Sequence, residues 1–400
     1  MSSSIFAAVE MAPRDPILGL NEAFNADARA TKVNLGVGVY FDDNGKILLL
    51  AAVKAAEEAR LKAAPPRGYQ PIEGPAAYNN AVQSLLLGRI LRSSPTARSS
   101  PPRPRRHRRA EDRRRLPEAP QPGRQVLHQR PVVGKPPRVV RVGRLRRREL
   151  SYYDAATRGV IFAGHEAELQ GHGSGSIVVL HACCHNPTGA DLPMPSGRMW
   201  SSCARPVASC PSSTWLLPGL SPKASRPMPS PFVPFGLLAC SSSPPSSFSK
   251  NFSLYGERVG ALSIVTASKE EAARVMSQVK RVIRTNYSNP PIHGGALVAA
   301  VLASPELRAQ WEQELAGMRD RIRAMRTGLV DAIKAAGVQQ DFSFVVKQRG
   351  MFSHTGLSAA QVETLKNDFG IYAVSTGRIR LAALNTKNIG YVAEAIAKVL

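Results

Sequence analysis

The chain contains little cysteine and no long apolar run. Its five cysteines, at positions 183, 184, 203, 210 and 240, are odd in number and show no paired disulfide spacing. No stretch of eighteen apolar residues occurs, and the N-terminus lacks a basic region followed by an apolar core. We therefore expect a soluble protein of a reducing compartment, the cytoplasm, with no membrane partner.

Aromatic and acidic residues are each missing from one long segment. No Phe, Tyr or Trp occurs between Tyr78 and Tyr152, and no Asp or Glu occurs between Asp191 and Glu257. The first gap removes the aromatic side chains on which single-stranded nucleic acid bases stack. The second gap leaves a long stretch of chain without any carboxylate.

Positive charge is concentrated in one segment. The formal net charge is +24, but residues 89–150 alone hold nineteen Arg and one Lys against four acidic residues. This segment is also rich in Pro and shows neither a helical nor a strand period, so it predicts disorder. Its arginines can bind nucleic acid phosphates, but without aromatic residues we regard a nucleic acid partner as the less favoured alternative.

A second unusual segment covers residues 193–246. Pro or Ser occupies 25 of these 54 positions. Such a composition is typical of a disordered linker, which is unexpected in the middle of an ordered domain.

The rest of the chain alternates predicted helices and strands, and its 400 residues predict two domains, one large and one small. The expected fold class is therefore α/β with a small α+β domain at the C-terminus. The main expected elements are a helix from Asp15-Pro16, a glycine-containing strand at 32–40, helices at 48–64, from 268 and at 305–337, and a compact α+β unit from 341 onward.

One predicted strand ends in a polar turn. Residues 176–184 form a short, apolar and β-branched run that leads into His185-Asn-Pro-Thr-Gly189. A buried parallel strand delivers such a turn to the carboxyl edge of the sheet, where ligands bind. We also considered metal binding by the His and Cys residues here, but their spacing is too tight for tetrahedral zinc, and we predict no metal.

Lys250 stands between small hydroxyl residues, in Ser246-Ser-Phe-Ser-Lys-Asn-Phe-Ser253, and Arg258 follows eight residues later. A lysine can hold an aldehyde cofactor covalently, and a fixed arginine can bind the phosphate of that cofactor. A solvated lysine in a Ser-rich turn is the alternative that this spacing alone leaves open.

Seven motifs in the ordered blocks resemble those of the aspartate and aromatic amino-acid aminotransferases, and most closely the bacterial aromatic enzymes. The resemblance covers roughly residues 1–88, 151–192 and 246–400. The motifs are Asn34-Leu-Gly-Val-Gly-Val-Tyr40, Arg67-Gly-Tyr69 with Pro71-Ile-Glu-Gly74, His185-Asn-Pro-Thr-Gly189, Ser247-Phe-Ser-Lys250, Arg258, Arg284-Thr-Asn-Tyr-Ser-Asn-Pro-Pro291 and Gly377-Arg378.

The resemblance implies fold type I of the enzymes that depend on pyridoxal 5'-phosphate (PLP). It implies an N-terminal arm and part of the small domain in 1–47, a large PLP-binding domain in 48–310 and a small C-terminal domain in 311–400. It also implies that the protein is a homodimer. The activity that it implies belongs to amino-acid metabolism: a transferase that moves an amino group between an aromatic or acidic L-amino acid and a 2-oxo acid.

The same resemblance assigns the residues that hold the cofactor. Lys250 would bind the cofactor aldehyde covalently and, once displaced, carry the proton between substrate and cofactor. Ser247 and Arg258 would bind the cofactor phosphate, and Tyr69 would reach the phosphate of the neighbouring subunit. Asn186 would donate a hydrogen bond to the oxygen of the ring hydroxyl.

The resemblance assigns the substrate contacts in the same way. Arg378 would bind the substrate α-carboxylate, helped by the Gly38 amide, and Phe352 would pack near the substrate. Arg284 of the partner subunit would bind a distal carboxylate. Because Arg284 is shared by enzymes of both specificities, the choice between aromatic and dicarboxylic substrates stays open.

Several groups that the family uses are missing. The family has a glycine-rich phosphate cup and a ring-stacking tryptophan in the region of 89–150, and an aspartate on the pyridine nitrogen and a tyrosine on the ring hydroxyl in the region of 193–246. None of them occurs here. A cofactor without the aspartate is a poorer electron sink. We therefore expect this exact chain to be inactive.

A single cause can explain both unusual segments. The 64-residue distance from Asn186 to Lys250 matches the family while the content between them does not. We hypothesise two pairs of compensating frameshifts, and reading the DNA in its other frames tests this. Two further alternatives stay open, a PLP-binding pseudoenzyme and a basic nucleic-acid-binding derivative.

Overall fold

The chain divides into two compact units in the computed structural model. The first unit comprises residues 1–46, 324–346 and 351–400, and the second comprises 47–323 and 347–350. The structure describes residues 6, 9–12, 14–87, 125–130, 146–161, 168, 177–181, 183–191, 210–214, 245–264 and 268–400.

The second unit contains a parallel sheet of four strands. The strands are β2 (Gln125–Arg130), β3 (Arg146–Ser151), β6 (Ile177–His181) and β7 (Cys210–Thr214), in the spatial order β3-β2-β6-β7. Two short hairpin strands, β4 (Tyr153–Asp154) and β5 (Gly159–Val160), follow β3. The predicted α/β class is confirmed.

The expected disorder of 89–150 and 193–246 is corrected where the structure shows strands. Strands β2 and β3 lie in the first segment and β7 lies in the second. Their sequences carry no strand period, but backbone pairing with β6 and with each other satisfies their main-chain groups, and no local pattern reports such pairing. Pro245 and Ser246, which begin strand β8 (Pro245–Ser247), are also described, and the rest of both segments lies outside the part of the chain that the structure describes.

The described residues of the second unit include all or part of several helices. They are α2 (Ala51–Ala63), α3 (Ala76–Leu87), α4 (Lys269–Asn286), α5 (His293–Ala303) and the first part of α6 (Pro305–Ala335). The predicted start of α4 is confirmed because the Ser268 hydroxyl accepts a hydrogen bond from the Glu271 amide at 3.2 Å. Within the described residues, no helix is both long and apolar enough to cross a membrane.

A small antiparallel hairpin of the second unit carries the predicted cofactor lysine. Strand β8 (Pro245–Ser247) pairs with β9 (Gly260–Leu262), so residues 248–259 form its loop. The loop is anchored by rings: Phe252 is fully buried, with its centroid 5.3 Å from that of Phe248 and 4.8 Å from that of Trp311.

The first unit is an α+β structure built from both ends of the chain. Helix α1 (Leu18–Ala26) precedes β1 (Val33–Asn34), which pairs in parallel with β11 (Ile371–Tyr372). Strand β10 (Phe352–His354) pairs antiparallel with β12 (Arg378–Arg380). Its other helices are the end of α6, α7 (Phe344–Lys347), α8 (Ala359–Phe369) and α9 (Ile389–Val399), with a 3₁₀ turn at Leu381–Ala383.

Helix α8 is capped at both ends. Helix α8 begins with a complete capping box between Ser358 and Gln361 and ends at Gly370, which has a φ of +64°. Its apolar side chains join those of β11 and α9 in a core that includes Leu365, Ile371 and Val392.

Candidate functional site

Lys250 lies half-buried in the β8–β9 loop and contacts the ring of Tyr255. The Lys250 Nζ lies 4.7 Å from the Tyr255 ring centroid, a cation–π contact. The main-chain carbonyl of Tyr255 accepts a hydrogen bond from Nη1 of Arg258 at 3.1 Å. Tyr255 therefore links the two predicted cations of the cofactor site.

Sequence reasoning did not assign Tyr255 a role. The signal that could have found it is its position between Lys250 and Arg258 in one short loop, where an aromatic side chain can reach either cation. Arg258 itself has a φ of +55°, which is uncommon for a residue with a side chain.

Ser247 is the last residue of β8 and pairs with Gly260, two residues after Arg258. Its hydroxyl accepts a long hydrogen bond, 3.4 Å, from the Ser249 amide. The structure thus brings Ser247, Lys250 and Arg258 onto one hairpin. A hydroxyl, an amine and an exposed guanidinium on one loop form a donor set that suits a phosphorylated aldehyde.

Asn186 occupies the turn that follows β6, as the sequence predicted. The Asp191 carboxylate accepts hydrogen bonds from the amides of Cys184 and His185, at 2.8 and 3.0 Å. The Gly189 amide donates to the His185 carbonyl at 2.6 Å, and the Asn186–Pro187 peptide is cis. Asp191 therefore holds the two ends of the turn that presents Asn186.

Buried aromatic rings support this turn from within the second unit. The His185 ring centroid lies 4.2 Å from that of Tyr152 and 4.7 Å from that of His181. Burial lowers the pKa of His181 to about 4, so its imidazole is neutral near pH 7. Burial also raises the pKa of Tyr152 well above its ordinary value, and its hydroxyl donates to the Ala190 carbonyl at 2.8 Å.

The described ranges contain no group of three or more His, Cys, Asp and Glu side chains that could hold a metal ion. The imidazoles of His181 and His185 are used for ring packing and for hydrogen bonds to Gln129 and Thr188.

Two predicted site residues lie on the surface of the second unit. Tyr69 is 96% exposed. Arg284 stands exposed in the last turn of α4, where its Nη1 donates to the Ser288 hydroxyl. Neither residue is part of the β8–β9 hairpin. Tyr69 and Arg284 therefore stand on other segments of the chain than Lys250.

The predicted substrate residues of the first unit form a separate cluster. Arg378 is 2% exposed, and its Nη2 donates to the Gly36 carbonyl at 2.7 Å. Its guanidinium carbon lies 4.2 Å from the Phe352 ring centroid. Gly38 lies in the same loop as Gly36, two residues further on. The structure therefore brings Arg378 and Phe352 together beside this loop.

Burial lowers the pKa of Arg378 to about 10, because the low-polarity surroundings disfavour the charged form. The guanidinium is still protonated near neutral pH. A buried cation of this kind is suited to bind a carboxylate with little competition from water.

A second buried arginine of this cluster was not predicted. Arg380 is 1% exposed and lies on β12 two residues after Arg378, so both side chains are on the same face of the strand. Its Nη1 and Nη2 donate to the carbonyls of Val39 and Asn34, at 3.1 and 2.6 Å. The alternation Arg378-Ile-Arg380 was the available signal.

The chain matches the family model described as "Aminotransferase class I and II" over residues 118–196 and 245–396. The match leaves out 197–244, which lies within the Pro- and Ser-rich segment. It begins inside the Arg-rich segment, so the resemblance extends further into that segment than the sequence motifs indicated.

Curated relatives match the chain along its whole length. The chain is 50% identical to an aspartate aminotransferase of Pseudomonas aeruginosa, over 99% of this chain and 100% of that protein. It is 39% identical to an aspartate aminotransferase of Haemophilus influenzae, with the same coverage.

Solved structures of aminotransferases also match the chain along its whole length. The aromatic-amino-acid aminotransferase of Burkholderia pseudomallei, covalently bound to pyridoxal phosphate, matches with 50% identity, full coverage of both chains and a TM-score of 0.87. The cytoplasmic aspartate aminotransferase of Saccharomyces cerevisiae matches with 26% identity, coverage of 100% and 99%, and a TM-score of 0.86. With its family model, its full-length relatives and its fold in agreement, the chain belongs to the class I and II aminotransferases, with fold type I of the PLP-dependent enzymes.

Proposed function

We propose that this chain is built for PLP-dependent transfer of an amino group between an aromatic or acidic L-amino acid and a 2-oxo acid. The observation that carries the proposal is the Arg378 cluster, a buried cation stacked on Phe352 next to a glycine-containing loop. Amino acids and 2-oxo acids both carry an α-carboxylate, and a buried guanidinium binds a carboxylate in a fixed orientation.

The β8–β9 hairpin fits the cofactor by the chemistry of its donor groups. When bound, PLP supplies an aromatic ring that accepts electrons from the substrate carbon. Lys250 holds the cofactor covalently through Nζ and, when released, moves a proton at that same atom. Ser247 and Arg258 bind the phosphate, and Asn186 orients the ring through its hydroxyl oxygen.

The substrate is held by the first unit and oriented by its carboxylate. Arg378 binds the α-carboxylate together with the Gly38 amide, and Phe352 packs beside the substrate. The contact between Phe352 and Arg378 supports this assignment, since one side chain restrains the other. Arg284 of the partner subunit binds a distal carboxylate when the substrate has one.

We propose that the protein works as a homodimer in the cytoplasm. Tyr69 and Arg284 are exposed in the chain taken alone, and both would serve the cofactor and substrate only across a subunit boundary. A cleft of about 1550 Å³ beside α4 and β9 is lined by charged side chains, Arg258 and Arg281 among them, and by apolar ones such as Val282, which is 58% exposed. A cleft with both charged and apolar lining suits a protein surface, and we propose that a second copy of the chain fills it.

We keep the predicted domain division as part of this proposal. Residues 48–310 would form the large PLP-binding domain, residues 311–400 the small C-terminal domain, and residues 1–47 an arm together with part of the small domain. The pairing of β1 with β11 supports the last assignment, because it joins the N-terminal residues to the C-terminal unit.

The missing carboxylate limits the expected rate. No Asp or Glu lies between Asp191 and Glu257, and Asp191 already accepts two main-chain hydrogen bonds in the Asn186 turn. Without a carboxylate at the pyridine nitrogen, the ring accepts electrons poorly. We therefore propose cofactor binding and substrate recognition with little turnover, which is the behaviour of a pseudoenzyme.

Mixing the purified full-length chain with PLP tests the proposal. We expect a visible absorbance band that is lost in Lys250→Ala and kept in Lys269→Ala, a matched change of an exposed lysine. The same band in both variants would contradict the assignment of Lys250. Salt-sensitive binding to a polynucleotide in the absence of any PLP band would favour the basic nucleic-acid-binding derivative instead.

A further inference from the structure

We infer that Arg380 is a positioning residue that fixes the loop of residues 34–39, here called the glycine loop, and thereby the Gly38 amide. The inference deepens the proposed function, because Gly38 and Arg378 are the proposed contacts to the substrate carboxylate. Arg380 itself is assigned no contact with substrate or cofactor.

The glycine loop is attached to strands of the first unit at its two ends. The Leu35 amide donates to the Tyr372 carbonyl at 2.8 Å, and the Leu35 carbonyl accepts from the Arg380 amide at 3.0 Å. Beyond the other end, the Phe41 amide donates to the Ala382 carbonyl at 3.1 Å. Between these attachments the backbone has no regular secondary structure.

The Arg380 guanidinium bridges this irregular stretch. It donates to the carbonyls of Asn34 and Val39, which stand at opposite ends of the glycine loop. Gly38 lies next to Val39 in sequence, so the bond to Val39 restrains the peptide that carries the Gly38 amide. The Phe41 ring, with its centroid 4.5 Å from the guanidinium carbon, limits rotation of the guanidinium.

Arg378 and Arg380 hold different points of the same loop. Arg378 bonds the Gly36 carbonyl, and Arg380 bonds the carbonyls on either side of it. A planar guanidinium can bond two carbonyls in fixed directions, whereas a lysine ammonium is a point charge without that constraint. Loss of Arg380 therefore lets the loop move relative to Arg378, and small misplacements of a binding group are costly.

The first test is local and needs no activity. We expect hydrogen–deuterium exchange of the peptides that cover 35–40 to speed up in Arg380→Met and, less, in Arg380→Lys, while exchange in α8 stays unchanged. Arg14→Lys, a change of an exposed arginine in the same unit, serves as the control. Unchanged exchange over 35–40 in both Arg380 variants would overturn the inference. If Arg380→Met fails to fold, Arg380→Lys, which keeps the charge, decides the same question.

The second test measures carboxylate binding by the PLP-loaded full-length chain. The probe is 3-phenylpropionate, which has a carboxylate but no amino group. We expect Arg380→Met to raise its Kd about tenfold, with the PLP absorbance kept and a partial recovery in Arg380→Lys. An unchanged Kd would contradict a positioning role. If Arg378→Met also leaves the Kd unchanged, the proposed carboxylate site is wrong, while the exchange result still reports on the loop.

Discussion

Phe352 lies opposite Arg380 in the register of β10 and β12, yet its ring faces Arg378, 4.2 Å from the guanidinium carbon. Phe352 and Arg378 are therefore diagonal neighbours across the strand pair. Aromatic side chains are long enough to span the distance between such neighbours. A cation over a ring face is attracted without use of its N–H groups. Phe352 thus restrains Arg378 without using its N–H groups, one of which bonds the Gly36 carbonyl.

Carboxylate binding should depend on the charge of Arg378. Because the pKa of Arg378 is lowered to about 10, the charged form persists near neutrality and is lost as the pH rises through that value. We expect the affinity for 3-phenylpropionate to be constant near neutrality and to fall by up to roughly tenfold per pH unit above about pH 10. Titration of Kd against pH measures this, and Arg378→Met should bind weakly without that pH dependence. An equally steep fall in Arg378→Met would assign the titration to another group.

The lowered pKa of Arg378 also affects the stability of the folded chain. The folded chain binds this proton less tightly than the unfolded chain does, so burial of the charged Arg378 lowers stability at neutral pH. The penalty diminishes as the pH rises above about 10. Arg378→Met removes the penalty together with the Gly36 hydrogen bond, so we expect its stability to depend less on pH in that range.

Asp191 is expected to act on the cofactor through the Asn186 turn. In Asp191→Asn the charge is lost and one oxygen becomes an amide nitrogen, so one of the two main-chain hydrogen bonds from Cys184 and His185 loses its acceptor, at a cost of about 1–3 kcal/mol. We expect a lower thermal midpoint and a weaker PLP affinity. Asp331→Asn, a change at an exposed position of α6, should alter neither. Wild-type PLP affinity in Asp191→Asn would show that the turn does not present Asn186 to the cofactor.

The rings beneath the Lys250 loop should carry much of its stability. Phe252 is fully buried between Phe248 and Trp311, so Phe252→Ala removes a large apolar side chain and should cost about 3–5 kcal/mol. Thermal unfolding measures the loss. The control is Leu61→Ala, since Leu61 is 78% exposed and its change should cost less than about 0.5 kcal/mol. Equal effects of the two variants would contradict the role of these rings.

Turnover should be far below what the family's chemistry allows. Because no carboxylate is available between Asp191 and Glu257, we expect transfer of nitrogen from labelled L-phenylalanine to 2-oxoglutarate to be no faster than with free PLP. Mass spectrometry of the glutamate formed measures the transfer. Transfer well above the free-PLP rate, and dependent on Lys250, would mean that another group supports the ring nitrogen.

Features with a local signature were predictable from the sequence. Each of three helix boundaries depends on a few adjacent residues. The structure has all three: the cap at Ser268, the capping box at Ser358 and the helix end at Gly370. The Asn186 turn after β6 was predictable for the same reason, because an apolar run followed by Asn-Pro indicates a strand that ends in a turn.

Features that depend on distant partners were not predictable. Strands β2, β3 and β7 form by pairing with neighbours, although their own residues carry no strand period. The Arg380 bridge joins residues more than 300 positions apart in sequence, and the link from Tyr255 to both Lys250 and Arg258 depends on how one loop folds. The sequence motifs predicted the cations of the site, Lys250, Arg258 and Arg378. The structure adds the side chains that contact them, such as Tyr255 and Phe352.

Covalent trapping shows whether Lys250 holds the cofactor. The full-length chain is loaded with PLP, reduced with borohydride, digested and analysed by peptide mass spectrometry. The account predicts a phosphopyridoxyl group on Lys250, and none there in Lys250→Ala. Modification spread over exposed lysines such as Lys269, with none on Lys250, would contradict it.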